Sequence, residues 1–254
     1  MARFFLSREA MNLEAGSIPI TGDDAHHIAF SLRMAVGDAL TVCDMQKTEY
    51  RCIIESIRPE LVVLKITETV ENHTELPIAV HLYQSLPKGD KMDTIVQKAV
   101  ELGAASVTPV ASARCIMKLD AKSAEKKVAR WQKIAEEAAK QSGRGCVPVV
   151  HMPISFAEAV ARGRETELPL FCYEGDGTVS LRGLLEEALA RCDTASGKQL
   201  TSAVYIGPEG GYDTAEVRRA QEAGFPAVNL GRRILRCETA SGFVLACMTY
   251  AAEL

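Results

Sequence analysis

AVYIGPEGGYDTAEV, residues 203–217, and FPAVNLGRRILRCETA, residues 225–240, are the stretches whose reading decides the fold. Each opens with a β-favouring run, Ala203 to Ile206 in the first and Ala227 to Leu230 in the second. Each breaks at a glycine and resumes as a helix. Two such turns at the carboxyl ends of strands make a ligand crevice. Glycine suits that place because no Cβ keeps the backbone away from a ligand. In the first turn Pro208 stiffens the chain, Gly210 and Gly211 follow, and Asp213 with Glu216 forms a capping box for the next helix. Glu209 is a carboxylate held between glycines, where packing has no need of one. The second turn carries Arg232, Arg233 and Arg236 within five residues, interleaved with Ile234 and Leu235. A cluster of guanidinium groups beside a glycine-rich crevice points to an anionic substrate.

Around these turns the rhythm is strand then helix. Ala79 to Gln84 reads as a strand, Asp90 to Leu102 as a helix stopped by Gly103, and Ser106 to Val110 as a strand. Asp120 caps a long helix with Val128, Trp131, Ile134, Ala135 and Ala138 on its apolar face. Strands near 147–151, 168–173, 203–207 and 226–230 alternate with helices at 155–162, 180–191, 213–223 and 239–252. Such alternation predicts a mostly parallel sheet covered by helices. The last helix is small and apolar nearly all round, so it is expected to be buried, in the domain, against a second subunit, or both.

The first 70 residues differ. Arg3 to Leu6, Ala39 to Cys43, Tyr50 to Ile57 and Leu61 to Thr69 read as short strands, with a helix capped by Asp23-Asp24 and running to Met34. That spacing predicts a small β-barrel over 1–70, a linker over 71–77 and an α/β domain over 78–254.

The chain has 254 residues, 47% hydrophobic and 24% charged, the profile of a globular protein. No apolar run approaches the ~20 residues of a membrane helix, and the charged start MARFFLSREAMNLEAG lacks a secretory core, which predicts a cytoplasmic protein without membrane contact. The eight cysteines include no C-x-x-C pair, and the histidines have no metal-ligand spacing, so no metal is expected and the thiols are read as reduced, packed hydrophobes. His26 and His27 are read as structural. P-loop, G-x-G-x-x-G and G-x-S-x-G signatures are absent after the relevant strands. Gly175-Asp176-Gly177 is a lone glycine pair where a third crevice loop would fall. Net charge is −4, but nine Lys or Arg against four acids between Arg114 and Arg144 make a local excess of +5. A molecule so polarised can steer an anion to one face.

GPEGGYDTAEV and NLGRRILRCETA resemble the two C-terminal signatures of the SPOUT methyltransferase superfamily. The chain is most similar to the RsmE family of 16S rRNA uridine-N3 methyltransferases, nearly end to end. Gly22-Asp23-Asp24-Ala25-His26-His27, Leu32-Arg33-Met34 and Gly37-Asp38 resemble that family's N-terminal PUA-like barrel. Lys88 to Met92, Gln97-Lys98, Glu101 to Gly103, Arg114-Cys115, Trp131 to Ile134 and Gln141 to Arg144 match its central motifs. Arg232 and Cys237 depart from it, standing where the family usually has proline and threonine.

The resemblance implies an α/β SPOUT sheet with a C-terminal trefoil knot, a homodimer, and S-adenosylmethionine (SAM) as methyl donor. It places SAM against Cys172, Tyr173 and Glu174, against Gly207, Pro208, Glu209, Gly210 and Gly211, and along Asn229, Leu230, Gly231, Ile234, Leu235 and Arg236, ending at Glu238, Thr239 and Ala240. The partner is 16S rRNA of the small ribosomal subunit. Arg236 is the expected catalytic cation, stabilising the negative charge that develops on the uridine imide, while Glu209 orients the base or accepts its proton. Arg3, Arg33, Lys91, Arg114, Lys118, Arg144, Arg232 and Arg233 are the expected RNA contacts. Other readings stand beside this one: a SPOUT enzyme acting on tRNA or a ribose hydroxyl, a non-catalytic RNA-binding assembly factor, and a nucleotide-binding α/β protein.

Overall fold

A computed structural model describes residues 1–191 and 199–254, so of the cysteines Cys192 lies outside the described residues. The other seven are free thiols. The chain divides into two compact units: residues 1–75 with 139–147, and residues 76–138 with 148–254.

In the first unit β1 (Ala2–Phe5), β2 (Ser17–Thr21), β3 (Ala39–Cys43), β4 (Thr48–Arg58) and β5 (Leu61–Glu71) form one sheet. Their order is β1-β3-β4-β5-β2. β1 runs parallel to β3 and the remaining pairs are antiparallel. Because successive side chains face opposite ways, Ile18 and Ile20, Tyr50, Cys52 and Ile54, and Val62 and Leu64 fall on one face and share a core with Phe4, Leu40 and Val42. Pro19 sits in β2, at the end of the sheet order, where a missing N–H is tolerated. The short helix α1 (Gly22–His26) starts before the expected cap: Thr21 holds the cap position and the two aspartates fall in the first turn, next to the positive end of the helix. A π-type turn, His27–Ser31, then ends it short of Met34.

Side-chain hydrogen bonds hold residues 143–145 to residues 3 and 72–75 within the first unit. The Arg144 guanidinium, 3% exposed, grips the Glu75 carboxylate with Nε at 2.9 Å from one oxygen and Nη2 at 2.5 Å from the other. The Gly145 N–H donates to the same carboxylate at 3.0 Å. Thr74 Oγ1 and Asn72 Nδ2 donate to the Gly143 carbonyl. Arg3 adds Nη1 to Glu49 at 2.6 Å and to the Arg144 carbonyl at 3.2 Å. The segment expected to be a linker is therefore a polar seam. Arg3 and Arg144, expected on RNA, lie inside it, their guanidinium groups engaged by Glu49 and Glu75.

In the second unit every strand pairing is parallel. The strands are β6 (Ile78–Ser85), β7 (Ser106–Ala111), β8 (Val149–Val150), β9 (Ile154–Ser155), β10 (Leu168–Cys172), β11 (Val179–Ser180), β12 (Leu200–Ile206) and β13 (Ala227–Asn229). Their order is β11-β13-β10-β12-β6-β7-β8, with β9 also on β7. β7 and β12 are buried on nearly every residue, as strands covered on both faces must be. The helices are α2 (Lys91–Glu101), α3 (Ala121–Ser142, of which residues 139–142 are counted in the first unit), α4 (Phe156–Gly163), α5 (Leu181–Ala190), α6 (Thr214–Glu222) and α7 (Cys237–Glu253). Asp120 caps α3 as expected, accepting from the Ser123 N–H at 2.7 Å. Gly103 ends α2 at φ +88, where a Cβ would stand 2.5 Å from Leu76.

Within this chain α7 is buried along one side. Its inner side buries Ala240, Ser241, Val244, Leu245 and Met248, but Phe243 is 41% and Tyr250 68% exposed. The side that faces its own unit is buried, as expected of a small apolar helix.

An aromatic cluster fills the space between the sheet, α4 and α6. Tyr83 stacks on Tyr205 with centroids 4.8 Å apart and planes 8° from parallel, and the Tyr205 hydroxyl donates to the Ala159 carbonyl at 2.8 Å. That hydroxyl occupies the place a Cβ on Gly163 would take, at 1.8 Å.

Two stability predictions follow from these contacts. Alanine favours a helix over glycine by about 1 kcal/mol, yet Gly163→Ala is expected to cost about 1–3 kcal/mol through the clash. Urea unfolding would read this, and adding Tyr205→Phe should recover part of the loss. Breaking the buried pair with Glu75→Gln or Arg144→Met should cost about 3–5 kcal/mol. Burial works to raise the Glu75 carboxyl, but the Arg144 hydrogen bonds and charge outweigh it and hold the group below the usual carboxylate range. The pair's contribution is therefore present above the unfolded value, about pH 4.3, and lost as pH falls through the lower folded one. Thermal melts between neutral and acid pH should show that loss in the parent and less of it in the Glu75→Gln, Arg144→Met double variant.

Candidate active site

Because all strands of the second sheet run the same way, the loops that leave their carboxyl ends share one edge. Five matter: residues 86–90 after β6, 112–120 after β7, 173–178 after β10, 207–213 after β12 and 230–236 after β13.

The 207–213 loop is built as its residues suggest. Gly211 takes φ +66 and its N–H closes a turn onto the Pro208 carbonyl at 2.9 Å. A Cβ on Gly207 would stand 3.2 Å from the Tyr212 ring. The capping box is present: the Ala215 N–H donates to Asp213 at 2.9 Å, and the Asp213 N–H donates to Glu216 at 3.0 Å. Glu216 reaches further, its other oxygen accepting from the Ala113 N–H at 2.8 Å. Arg114 Nη1 donates to the Gly210 carbonyl at 2.9 Å. The loop after β7 thus braces the loop after β12.

Glu209 is held from a third side. Its carboxylate accepts from the Lys88 N–H at 3.1 Å and pairs with Lys91 Nζ at 2.9 Å. The same Nζ lies 3.4 Å from Glu238, in the first turn of α7. Partial burial works to raise the Glu209 carboxyl, but Lys91 and the backbone donors win and hold it low. Through the Lys88 N–H and Lys91 the Glu209 carboxylate ties the loop after β12 to the loop after β6 and the start of α2.

The remaining loops join in the same way. Asn229 Nδ2 donates to Thr178 Oγ1 and to the Val179 carbonyl, both at 3.2 Å, tying the loop after β10 to the end of β13. Gly231 takes φ +103 beside it. The Tyr173 ring covers Gly175, where a Cβ would lie 2.2 Å from it. Cys172 is buried and its thiol is pushed up to about 12. Leu230, Ile234 and Leu235 line the 230–236 loop, with Ile234 82% exposed.

Arg236 stands at the cap position of α7, its carbonyl accepting from the Thr239 and Ala240 N–H groups at 2.9 and 2.7 Å. Arg232, Arg233 and Arg236 are exposed and make no ion pair among the described residues. Cys237, where the resemblance anticipates threonine, keeps a donor in place: burial, then the bond to Glu238, pushes its thiol up to about 12, and Sγ donates to Glu238 at 3.2 Å.

One edge therefore gathers Lys88, Lys91, Arg114, the 207–211 loop, Asn229 and the start of α7. Arg3, Arg33 and Arg144 belong to the first unit; Arg33 is exposed there at φ +52. Sequence reasoning did not reach Gln84. It is fully buried at the carboxyl end of β6, its Nε2 donating to the Ser85 carbonyl while Oε1 has no partner. An acceptor left so costs about 1–3 kcal/mol unless a donor reaches it. Glycine-lined loops and an orphaned acceptor fit a polar organic ligand such as SAM. No His, Cys, Asp and Glu group able to hold a metal occurs among the described residues.

Known proteins resemble this chain over its whole length. Residues 74–249 match the RNA methyltransferase domain and residues 20–67 the RNA methyltransferase PUA domain. Ribosomal RNA small subunit methyltransferase E of Bacillus subtilis is 37% identical over all of this chain and 98% of its own. The same-named protein of Synechocystis is 32% identical over 91% of this chain and 72% of its own. The Neisseria gonorrhoeae enzyme of that name, solved bound to S-adenosyl methionine, superposes with a TM-score of 0.79 at 32% identity, covering 98% of this chain and 97% of its own. Two structural units, a parallel sheet with glycine loops at one edge, and these likenesses place the chain in the RNA methyltransferase family, with the small-subunit ribosomal RNA methyltransferases E.

Proposed function

We propose that this protein transfers the methyl group of SAM to N3 of a uridine in 16S rRNA of the small ribosomal subunit. The observation that carries the reading is the full-length likeness to small-subunit methyltransferases E, together with a glycine-lined strand edge where a ligand can approach the backbone.

The loops at 172–175, 207–211 and 229–236 and the first turn of α7 would hold SAM, which supplies an electrophilic methyl group when bound. Methyl transfer needs the acceptor nitrogen in line behind that carbon, and positioning supplies much of the rate. As the N3–CH3 bond forms and the S–CH3 bond breaks, leaving S-adenosylhomocysteine, the N3 proton passes to solvent water and the uridine imide develops negative charge. Arg236, an exposed guanidinium without an ion pair at the positive end of α7, is the group we assign to that charge. Arg232 and Arg233 would grip phosphate.

For RNA contact we assign the first unit, with Arg33, and a stripe on α3. Lys122, Lys126 and Lys133 are exposed and fall on one helix face. Arg130 is engaged with Asp93, and Lys127 lies over the Trp131 ring. Arg3 and Arg144 leave the RNA set because their charges are neutralised inside the first unit. Arg114 and Lys118, both exposed, remain in it.

We also propose a C-terminal trefoil knot, a homodimer and a cytoplasmic location. Support for the knot is that α7 follows the loop after β13 and packs back on β6, β12, α2 and α5. Support for the dimer is the uncovered face of α7, where Phe243, Ala246 and Tyr250 recur at helical spacing. An apolar stripe beside the proposed site suits a second copy of the chain. For the location, among the described residues no helix is long and apolar enough to cross a membrane.

The test is tritiated-methyl transfer from SAM into small subunits from cells lacking this protein, followed by nucleoside analysis; 3-methyluridine is expected, and label elsewhere or nowhere overturns the reading. Arg236→Ala should lower kcat on the order of 10²–10³-fold, and full turnover would remove Arg236 from its role. Reversing Lys122, Lys126 and Lys133 to Glu should weaken RNA binding and flatten its dependence on log salt by about 0.7–0.9 per lost phosphate contact, with SAM affinity unchanged.

A further inference from the structure

The geometry points to Lys91 as a positioning residue that clasps two cofactor-lining segments, the 207–211 loop and the first turn of α7, and not as an RNA contact. The inference rests on the methyltransferase reading for its ligand.

Lys91 opens α2, and its Nζ reaches Glu209 at 2.9 Å and Glu238 at 3.4 Å. Those carboxylates come from segments that follow different strands, β12 and β13. Nothing else among the described residues pairs ionically with both. Other donors, among them the Lys88 N–H on Glu209 and the Cys237 thiol on Glu238, each reach one carboxylate alone. With Lys91 in place the trio carries a net charge of −1; without it two carboxylates face one another across the site. A phosphate would meet a cation already engaged by two anions, which argues against RNA contact there.

Each bridge is partly exposed and individually modest. Their joint effect is on population. If the two segments are correctly placed for only part of the time, apparent ligand affinity falls by that fraction.

SAM binding by Lys91→Met, measured by calorimetry, is expected to weaken about tenfold, with KM for SAM rising and kcat at saturating SAM largely kept. Lys91→Arg should restore most of the affinity. Because the loss comes from facing carboxylates, the gap between Lys91→Met and the parent should narrow from about 0.05 to 1 M KCl, as screening shortens the reach of charge to about 3 Å. Hydrogen exchange gives a readout that needs no ligand: amides of 207–211 and 236–240 should exchange faster in Lys91→Met. Unchanged SAM affinity and exchange, with RNA binding alone weakened, would overturn the clasp and return Lys91 to the RNA surface. A parent protein that binds no SAM would instead sink the methyltransferase reading, and the exchange comparison would still decide the clasp.

Discussion

Parallel strand direction is the constraint on which the rest of the second unit depends. Parallel pairing cannot be closed by hairpins, so each strand needs a crossover and each crossover leaves from the same edge. Five loops are thereby delivered to one place by topology alone. What chemistry they hold is then a matter of loop residues: glycine where backbone must approach, a capping box where a helix must start, cations where charge must be met.

The loops do not stand singly. Glu216 caps its own helix and also binds the Ala113 amide; Arg114 holds the Gly210 carbonyl; Asn229 joins the end of β13 to the loop after β10. Side chains that satisfy one loop's backbone belong to another, so the site is a mesh of reciprocal hydrogen bonds. Such a mesh keeps a crevice in shape without an apolar core beneath each loop. The first unit uses a related device at Glu75 and Arg144, where a buried ion pair joins segments that are 69 residues apart. There the charges are taken out of water and must be fully hydrogen-bonded to be tolerated.

The same basic residue types serve opposite ends. Arg3 and Arg144 are neutralised in a seam, Lys91 bridges two carboxylates, and Arg232, Arg233 and Arg236 stay exposed on a loop. A count of positive charge along the chain does not separate these fates. Burial and the position of acids distant in sequence do.

Local chemistry made much of this protein legible from the sequence. The glycine turns, the Asp213–Glu216 box, the Asp120 cap, the stop at Gly103 and the alternation of strand and helix depend on neighbours within a few residues, and all stand in the structure as read. The edge that collects the loops followed from alternation itself. What the sequence could not carry were the partners across long separations: Lys91 with Glu209, Arg144 with Glu75, the unpartnered oxygen of Gln84, and the open side of α7. Local preferences act over one or two turns of chain, whereas these contacts exist only after distant strands have taken their register. The identity of the turns was therefore written in consecutive residues, and the assignment of each charge was decided by tertiary packing.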